Sequence, residues 1–320
     1  MIVGQSQDAP TAADTLRLDL TISIATWNNR DLVALCMRSI LEGLGDLKAR
    51  IVVVDNASTD GTAEMIRAEF PQVELLCSDQ PRGFSANHNR VLRRAAGRHV
   101  LLLNDDTVVI GDALVRAVAF LDGHPPAGAA GCTLVRPDAT PERISQRFPH
   151  PLDPIFSGLR RKVRPDDAAV RGDAVEVDRL SGACLMVRRE ALDRVGLLDE
   201  RFDPAYGEDT DLCWRIKQAG WRIYRLPHAR VIHRRGATAK RELPDQAYRL
   251  QAAKFRWYRK HRSRPALWVY RSAVVIASAA HLLFSLPRLL APGARPAATA
   301  RIRRLCARLQ ASLLAGKPEE

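Results

Sequence analysis

The sequence predicts an α/β protein with a mostly parallel central sheet, helices on both faces of that sheet, and a helical C-terminal region. Between residues 20 and 110, short apolar runs alternate with amphipathic helical segments. This alternation is typical of parallel strands joined by crossover helices. The runs are continuously apolar, as expected of strands buried on both faces. Beyond residue 241 the pattern becomes helical throughout.

The first half of the chain carries the clearest strand and helix signals. Pro71 and Gly97 each follow a helical pattern and mark its end. Polar residues come directly after the strands, where open α/β sheets bind ligands. The predicted strands are 20–26, 51–55, 73–77 and 99–105, and the predicted helices are 32–44, 62–69 and 86–96.

Residues 137–173 lose this periodicity and are predicted to form a long mobile loop, because they are rich in proline, arginine and aspartate. Regular patterns return after this segment. We expect one or two strands within 175–188, helices at 189–195 and 209–219, and strands at 222–226 and 230–233.

The net charge of +13 is concentrated in the C-terminal part of the chain. Residues 225–320 hold 21 Lys and Arg against 4 Asp and Glu, whereas residues 1–224 hold 28 against 32. The catalytic-looking part is therefore mildly acidic, and nucleic acid is not the expected partner. We divide the chain into a flexible N-terminal segment (1–19), a catalytic domain (20–240) and a basic, apolar helical region (241–320).

Two interpretations of the C-terminal region stay open. The uncharged stretch 272–287 is bounded by Arg271 and Arg288, and it is shorter than the roughly 20 residues that span a bilayer. It therefore predicts a helix lying in the plane of an anionic membrane, with residues 254–264 facing the headgroups. The alternative is a helix pair that packs on the protein. Nucleic-acid binding by this tail is a third candidate.

The N-terminal residues carry no basic leader followed by an apolar segment, so we expect a cytoplasmic protein, peripheral on the inner face of the cytoplasmic membrane. The six cysteines are scattered without Cys-x-x-Cys spacing, which argues against a zinc site.

Four sequence signals indicate chemistry. Asp55 follows an apolar strand, where a carboxylate can accept hydrogen bonds from a pyrimidine or ribose; a simple helix-capping loop explains it equally well. The adjacent acids of LLLNDDT, residues 101–107, repel each other unless a cation such as Mg²⁺ or Mn²⁺ offsets their charge. The alternative there is a polar turn.

The other two signals lie further along the chain. Glu208 and Asp209 begin a helix, where acids are favourable merely through the helix dipole, but one of them could act as a general base toward an acceptor. His233 follows a strand. A lone histidine is usually structural, yet a neutral imidazole can complete a metal site made of carboxylate and phosphate oxygens.

Taken in order, the motifs resemble family-2 glycosyltransferases of the GT-A fold, and among them the rhamnosyltransferase-like bacterial branch. The matching segments cover about residues 20–235: ISIATWNN, VVVDNASTDGT, RGFSANHN, LLLNDDT, SGACLMVRREAL, GLLDERFDPAYGEDTDLCWRIKQAGW and HARVIH. The resemblance implies a nucleotide-diphosphate sugar as donor, a divalent metal as cofactor, and a cell-envelope glycan or lipid-linked acceptor.

The resemblance also implies roles for individual residues. The predicted nucleotide pocket and donor-sugar floor comprise Thr26, Asn28, Asp55, Arg82, Gly83, Asn104, Asp105, Ser181, Gly182 and Ala183. Asp106 is the predicted metal ligand and His233 a second metal or phosphate contact. Asp209 is the predicted catalytic base, with Glu208 beside it near the acceptor. The first position of the family's Asp-x-Asp motif is Asn104 here, which leaves one less negative charge for the metal.

These residues predict an inverting hexosyl transfer in which Asp209 takes the acceptor proton and the metal stabilises the departing diphosphate. A degenerate sugar-binding or scaffold protein of the same fold is the non-enzymatic alternative. An NAD-dependent oxidoreductase shares the alternating pattern, but the loop after the first strand reads TWNNRD and has no Gly-x-Gly-x-x-Gly.

Overall fold

The computed structural model describes residues 18–142, 147–160, 174–234, 243–285 and 295–314. Most of the N-terminal segment predicted to be flexible, and residues 143–146 and 161–173 of the predicted loop, lie outside these ranges. The described residues form two compact units: the first is drawn from those within 1–148 and 167–238, and the second from those within 149–166 and 239–320.

The described residues of the first unit contain nine strands. They are β1 (Leu20–Thr26), β2 (Ala49–Asp55), β3 (Glu74–Cys77), β4 (His99–Asn104), β5 (Thr107–Val109), β6 (Ala127–Val135), β7 (Val175–Glu176), β8 (Cys184–Arg188) and β9 (Arg222–His233).

Its helices are α1 (Arg30–Gly43), α2 (Thr62–Glu69), α3 (Phe84–Leu92), α4 (Ala113–Gly123), α6 (Arg189–Val195) and α7 (Glu208–Gln218); the second unit holds α5 (Asp153–Arg160), α8 (Leu243–His261), α9 (Arg264–Ser285) and α10 (Arg295–Leu314).

The strands form one sheet in the order β3-β2-β1-β4-β8-β6-β9-β5, with β7 also paired to β9. β1, β2, β3 and β4 are mutually parallel where they pair, and β6 is parallel to β9. β8 runs antiparallel to both β4 and β6. The predicted α/β architecture with a mostly parallel sheet is confirmed, and β5, β7 and β8 make the sheet mixed.

The core lies on both faces of this sheet, because alternate side chains of a strand point to opposite faces. In β4, Leu101 and Leu103 join one apolar cluster with Ile22 and Met37, while Leu102 joins another with Leu212. Helices therefore cover both faces, as predicted.

β6 was not predicted, and its composition explains why. Its sequence AGAAGCTLV has few residues of high strand propensity. Every position of β6 is buried, and a side chain on Gly128 would clash with Trp221, its Cβ lying 2.5 Å from that of Trp221. Small residues are required here because both faces of β6 are closely packed. This requirement comes from tertiary contacts, so a local strand pattern does not reveal it.

The predicted mobile loop at 137–173 contains regular structure. Residues 136–142 form a turn that folds back on the end of β6, and α5 occupies Asp153–Arg160. The prediction of an unstructured loop is wrong over these residues. α5 packs with the C-terminal helices in the second unit, so its order comes from long-range contacts.

The second unit is built around buried aromatic side chains. Tyr258 stacks on Tyr270 with ring centroids 4.4 Å apart, and the Tyr270 hydroxyl accepts a hydrogen bond from Gln251 Nε2 at 2.9 Å. α9 is 22 residues long, with a mean hydropathy of 1.5 over its most apolar window, so it is long and apolar enough to cross a membrane by length and composition alone. α9 is longer than the uncharged stretch that begins at residue 272, because the helix starts at Arg264 and includes Arg271; an in-plane position of this helix stays a prediction.

Candidate active site

The predicted site residues gather at one edge of the sheet. Thr26, Asp55 and Asn104 end the parallel strands β1, β2 and β4. His233 ends β9, which is parallel to β6; because β6 and β4 are both antiparallel to β8, β9 runs in the direction of β4. The carboxyl ends of β1, β2, β4 and β9 therefore lie along the same edge, the usual ligand-binding position of an open α/β sheet.

Asp55 is buried at this edge, next to Thr26 in the strand register. Its Oδ1 has no hydrogen-bond partner among the described residues. Because an unsatisfied buried carboxylate oxygen is costly, this atom is suited to an N–H or O–H donor of a ligand.

Asn28 connects the loops that follow β1 and β2. It has a positive φ of 51°, and its Oδ1 accepts a hydrogen bond of 2.7 Å from Thr59 N. Its own N–H donates to Ser58 Oγ at 2.9 Å. Asn28 is predicted to line the nucleotide pocket, and its amide oxygen fixes the shape of that edge.

The segment at Arg82 and Gly83 is held from two directions. Asn56 makes a paired contact with the Arg82 backbone, accepting from its N–H at 2.7 Å and donating to its C=O at 3.0 Å. Asp203 caps α3, accepting from Ser85 N at 2.7 Å and Ala86 N at 3.1 Å. A Cβ on Gly83 would overlap the Asp203 carboxylate, so glycine is needed there for close packing.

This cap also explains a difference from the predicted helix at 86–96. α3 begins two residues earlier, at Phe84, where Asp203 supplies the acceptors for its first N–H groups and Pro204 O accepts from Phe84 N at 2.9 Å. The partner lies 118 residues away from Ser85 in the sequence, so no local signal marks this start.

Asp105 and Asp106, the two adjacent acids, have different surroundings. Asp105 is buried and accepts a hydrogen bond from Asn29 Nδ2 at 3.0 Å. Burial, with the negative charge of Asp106 adding to it, raises the pKa of Asp105 to about 6. Asp106 instead lies beside His233, with its Oδ1 3.3 Å from His233 Nε2.

His233 contacts a further carboxylate that sequence reasoning did not identify. Its Nδ1 lies 3.0 Å from Oε2 of the buried Glu142, and its Nε2 lies 3.5 Å from Asn104 Nδ2. Glu142 belongs to the segment predicted as a loop, and nothing in its spacing connects it to the end of β9.

The donor set fits a divalent cation that also binds a substrate diphosphate. Within the described ranges, no three His, Cys, Asp or Glu side chains are placed to hold a metal by themselves. Asp106 Oδ1 is nevertheless buried, without a hydrogen-bond partner among those residues, and faces an imidazole nitrogen. Mg²⁺ is commonly held by one or two carboxylates with phosphate oxygens completing its shell, and here Asp106 would supply the carboxylate.

Asp209, predicted as the base, is held by the chain around it. Its Oδ2 accepts from Gly182 N at 3.2 Å and lies 3.9 Å from Arg179 Nη2. Its Oδ1 accepts from Thr210 N at 2.6 Å and Thr210 Oγ1 at 3.0 Å. These contacts hold the carboxylate in one orientation.

Glu208 has a contrasting environment. It is buried, and its Oε2 has no hydrogen-bond partner among the described residues. Burial raises the pKa of Glu208 to about 8, and the adjacent charge of Asp209 adds to the shift. Glu208 therefore holds its proton near neutral pH, and it does so directly beside the residue predicted as the base.

The three-residue turn 181–183 contacts both acidic motifs, the one that follows Asn104 and the one that contains Asp209. Asn104 N donates to Ala183 O at 3.2 Å, and the next residue back, Gly182, donates to Asp209. Ser181 closes the turn by accepting from Cys184 N at 3.2 Å through its C=O. The metal-side and base-side motifs thus meet at the same edge, through the segment predicted as the sugar floor.

Sequence reasoning missed the residues that position this site. They act on backbone atoms or on other side chains from distant parts of the chain, and they comprise Asn29, Asn56, Glu142, Arg179 and Asp203. Asn29 and Asn56 are adjacent in sequence to the predicted residues Asn28 and Asp55. This adjacency is the sequence feature that could have identified them.

Comparison with known proteins agrees with this geometry. The family model described as "Glycosyltransferase like family 2" matches residues 18–260. The chain belongs to glycosyltransferase family 2. It is 31% identical over 214 residues to the N-acetylglucosaminyl-diphospho-decaprenol L-rhamnosyltransferase of Mycobacterium tuberculosis (strain H37Rv), covering 60% of this chain and 68% of the relative. It is 29% identical to the rhamnosyltransferase WbbL of Escherichia coli K12, covering 62% and 78%.

Solved structures confirm the GT-A fold expected of this family-2 glycosyltransferase. A mannosyltransferase of Pyrobaculum calidifontis, solved with GDP-Man and Mn²⁺, superposes with a TM-score of 0.58 at 22% identity, covering 95% of this chain and 89% of that one. TarS of S. aureus superposes with a TM-score of 0.53 at 15% identity, covering 95% and 93%. The predicted transferase activity is thus confirmed as a class, and the oxidoreductase alternative has no support.

Proposed function

We propose that this glycosyltransferase moves a hexose, with rhamnose as the first candidate, from a nucleotide-diphosphate donor to a hydroxyl of a lipid-linked or cell-envelope glycan. The main observation in support is that Asp106, His233 and Asp209 lie at one edge of the sheet. The 181–183 turn contacts the motifs on both sides. The sugar and acceptor rest on the rhamnosyltransferases among the relatives, one of them named for a diphospho-decaprenol acceptor.

The nucleotide would bind between the ends of β1 and β2. Asp55 offers its unpartnered buried oxygen to a donor on the base or ribose. Arg82 is exposed beside this position, and Asn56 fixes its backbone, so its guanidinium is available to the anionic diphosphate.

Asp106 and His233 would hold a divalent cation against the diphosphate. Mn²⁺ is present in the solved mannosyltransferase complex, which supports Mn²⁺ or Mg²⁺ here. When bound, the cation neutralises charge on the departing diphosphate. Asn104 leaves the amide of its side chain beside His233 Nε2, so the motif supplies one carboxylate ligand where the family's pattern has two.

The reaction is a direct displacement with inversion. The acceptor O–H proton passes to Asp209, and the acceptor oxygen forms a bond to the anomeric carbon. The bond between that carbon and the diphosphate oxygen breaks, and its electron pair leaves with the diphosphate. Gly182, Thr210 and Arg179 orient Asp209 for this role, and Glu208 is assigned to the acceptor side as the neighbour of this base.

The experiment that tests this function is a panel of nucleotide-activated sugars, including rhamnose, mannose and N-acetylglucosamine donors, assayed with a lipid-diphosphate N-acetylglucosamine acceptor. We expect turnover with one donor, abolished by EDTA and restored by Mn²⁺ or Mg²⁺. Full turnover in EDTA would contradict the metal assignment. Binding of a donor without turnover of any acceptor or water would instead favour the degenerate sugar-binding protein.

The second unit supports a membrane partner for this enzyme. One face of α9 packs through Tyr270, Ala273 and Val274. The other presents apolar side chains, with Leu283 69% and Phe284 72% exposed. The helices α8 and α9 and the segment joining them include exposed basic side chains, at Lys254, Arg259, Lys260, Arg262 and Arg264. A half-packed apolar helix with basic neighbours fits an anionic bilayer surface, on which it would lie in the plane.

Vesicle flotation tests this partner. We expect binding to vesicles containing phosphatidylglycerol and weak binding to pure phosphatidylcholine. Replacing both Leu283 and Phe284 by Glu should abolish flotation, whereas Asp112→Ala, an exposed change in the first unit, should not. Release of the vesicle-bound enzyme at high pH supports an in-plane helix, and retention would indicate a spanning one. Binding to random duplex DNA in preference to vesicles would contradict the membrane assignment.

A further inference from the structure

The imidazole of His233 lies between two carboxylates. Its Nδ1 is 3.0 Å from Glu142 Oε2, and its Nε2 is 3.3 Å from Asp106 Oδ1. The Glu142 side chain is 2% exposed and that of His233 10%. Asp106 faces the proposed cation, while Glu142 contacts the far side of the ring. Glu142 therefore lies behind the proposed ligand and outside the first coordination shell.

The backbone fixes Glu142 at this position. After β6, Arg136 N donates to Thr140 O at 2.8 Å, and Glu142 N donates to Leu134 O at 2.8 Å, closing a turn. Ala139 has a φ of 63° within this turn, and the Asp138 carboxylate accepts from Thr140 N at 3.0 Å. The hydrogen bonds of this turn fix the position of Glu142, so the residue is held in place before any ligand binds.

The contacts favour one tautomer of a neutral imidazole, because Nδ1 lies within hydrogen-bond distance of Glu142 Oε2 at 3.0 Å, whereas Nε2 and Asp106 Oδ1 lie 3.3 Å apart without forming a hydrogen bond. A proton on Nδ1 lies on a hydrogen bond to the Glu142 carboxylate, and Nε2 then directs a lone pair toward Asp106. Asn104 Nδ2, a donor, lies 3.5 Å from Nε2, which agrees with Nε2 as an acceptor. Asp106 Oδ1 has no hydrogen-bond partner among the described residues. Two acceptor atoms then face each other at 3.3 Å, which is favourable when a cation binds both.

We propose that Glu142 is a positioning residue that holds His233 as the Nδ1–H tautomer, so that Nε2 and Asp106 are preorganised as a pair of ligands for a divalent cation. This inference rests on the metal-dependent function proposed above. Carboxylates that accept the second N–H of a metal-binding histidine fix the ring and increase its basicity, and their loss typically costs about 10- to 100-fold in metal affinity or activity.

The first test reads the tautomer without metal. Long-range ¹H–¹⁵N NMR on the full-length enzyme labelled at histidine nitrogens, at about pH 8, separates the two neutral forms, and His233→Asn assigns the signal. We expect the Nδ1–H form in the wild type and in Glu142→Gln, which keeps an oxygen acceptor, and loss of that preference in Glu142→Leu. An Nε2–H form in the wild type would overturn the inference, and this measurement needs no variant to fold beyond the one used for assignment.

The second test measures Mn²⁺ affinity by the loss of its free EPR signal, with Mn²⁺ alone and with UDP. We expect Glu142→Leu to bind about 10- to 100-fold more weakly and Glu142→Gln to recover part of the loss. Glu74→Leu is the matched control, because Glu74 is a partly buried carboxylate bound to Arg50 at the amino end of β3. It should leave Mn²⁺ affinity unchanged.

The outcomes separate the inference from the function it rests on. Unchanged Mn²⁺ affinity in a folded Glu142→Leu enzyme overturns the positioning role while leaving the metal site intact. A wild type that binds no Mn²⁺ under either condition overturns the metal-dependent function, and with it the purpose assigned to Glu142. A metal-sensitive wild type with the Nδ1–H tautomer and a weakened Glu142→Leu supports both.

Discussion

The contact between Asp203 and the start of α3 predicts a coupled pair of substitutions. Asp203 accepts hydrogen bonds from Ser85 N and Ala86 N. Asp203→Ala leaves these donors without their acceptor, a lost helix cap worth about 1–2 kcal/mol of unfolding free energy. Gly83→Ala meets the opposite problem, because its Cβ would overlap the Asp203 carboxylate. Gly83 has an ordinary φ of −72°, so alanine adds no backbone strain, and its cost of about 1–3 kcal/mol is steric.

The double variant distinguishes this reasoning from a general weakness of the loop. Removing the Asp203 carboxylate frees the space that the new methyl group needs, so Gly83→Ala should cost little in the Asp203→Ala background. The expected coupling free energy is about 1–3 kcal/mol, of the order seen for residues in direct contact. Simple additivity would instead give a total loss of about 2–5 kcal/mol.

Denaturant unfolding of the wild type, both single variants and the double variant measures this coupling. Asp112→Ala serves as control, since Asp112 is an exposed residue before α4 whose side chain makes no capping hydrogen bond. It should change stability by less than about 0.5 kcal/mol. If Gly83→Ala is as costly in the Asp203→Ala background as in the wild type, the steric explanation is refuted.

Four further predictions concern the site. Asp209→Asn should lower kcat by about 10²-fold or more with the donor still bound, as loss of a general base requires; normal turnover would exclude Asp209 as the base. Asp106→Ala should abolish Mn²⁺-dependent turnover while the metal-free nucleotide affinity persists, which titration calorimetry with and without EDTA would check. Because the pKa of Glu208 is raised to about 8, ionising it opposes folding as pH rises from about 4.5 to 8, so Glu208→Gln should unfold at a higher denaturant concentration than the wild type at pH 8 and lose that advantage near pH 4. Gly182→Ala should keep its stability, since its Cβ would meet Phe84 at 3.4 Å in ordinary contact, but raise KM for the donor; an unchanged KM would contradict the sugar-floor role.

Local sequence patterns were sufficient to predict the central parallel strands. β1, β2 and β4 are continuous apolar strands followed by polar residues, and these features predicted both the sheet and the edge where ligands bind. β6 was missed because its alanines and glycines are required by the close packing of neighbouring residues on this strand, and small residues give no strand signal. The start of α3 was misplaced because its cap is Asp203, a residue from another part of the chain.

The same division holds at the candidate site. Motif order indicated Asp106, Asp209 and His233, and the structure brings them to one edge. The residues that orient them act through tertiary contacts, as Glu142 does on His233 and Arg179 on Asp209. Sequence analysis can point to such an orienting residue only when it is adjacent to a motif residue, as Asn29 and Asn56 are.

Asn104 shows how a tertiary contact changes the meaning of a sequence feature. From the sequence, asparagine at the first position of the motif means one less negative charge for a cation. In the structure this side chain places its amide nitrogen 3.5 Å from His233 Nε2, where an aspartate would put an acceptor opposite an acceptor. Glu142 meanwhile places a carboxylate 3.0 Å from the other ring nitrogen, in the position of the carboxylates that fix the ring of a metal-binding histidine. If the proposed cation binds Asp106 and His233, Glu142 would supply behind the imidazole the negative charge that Asn104 lacks, and the Asn104 amide is the side chain that agrees with the proposed Nδ1–H tautomer.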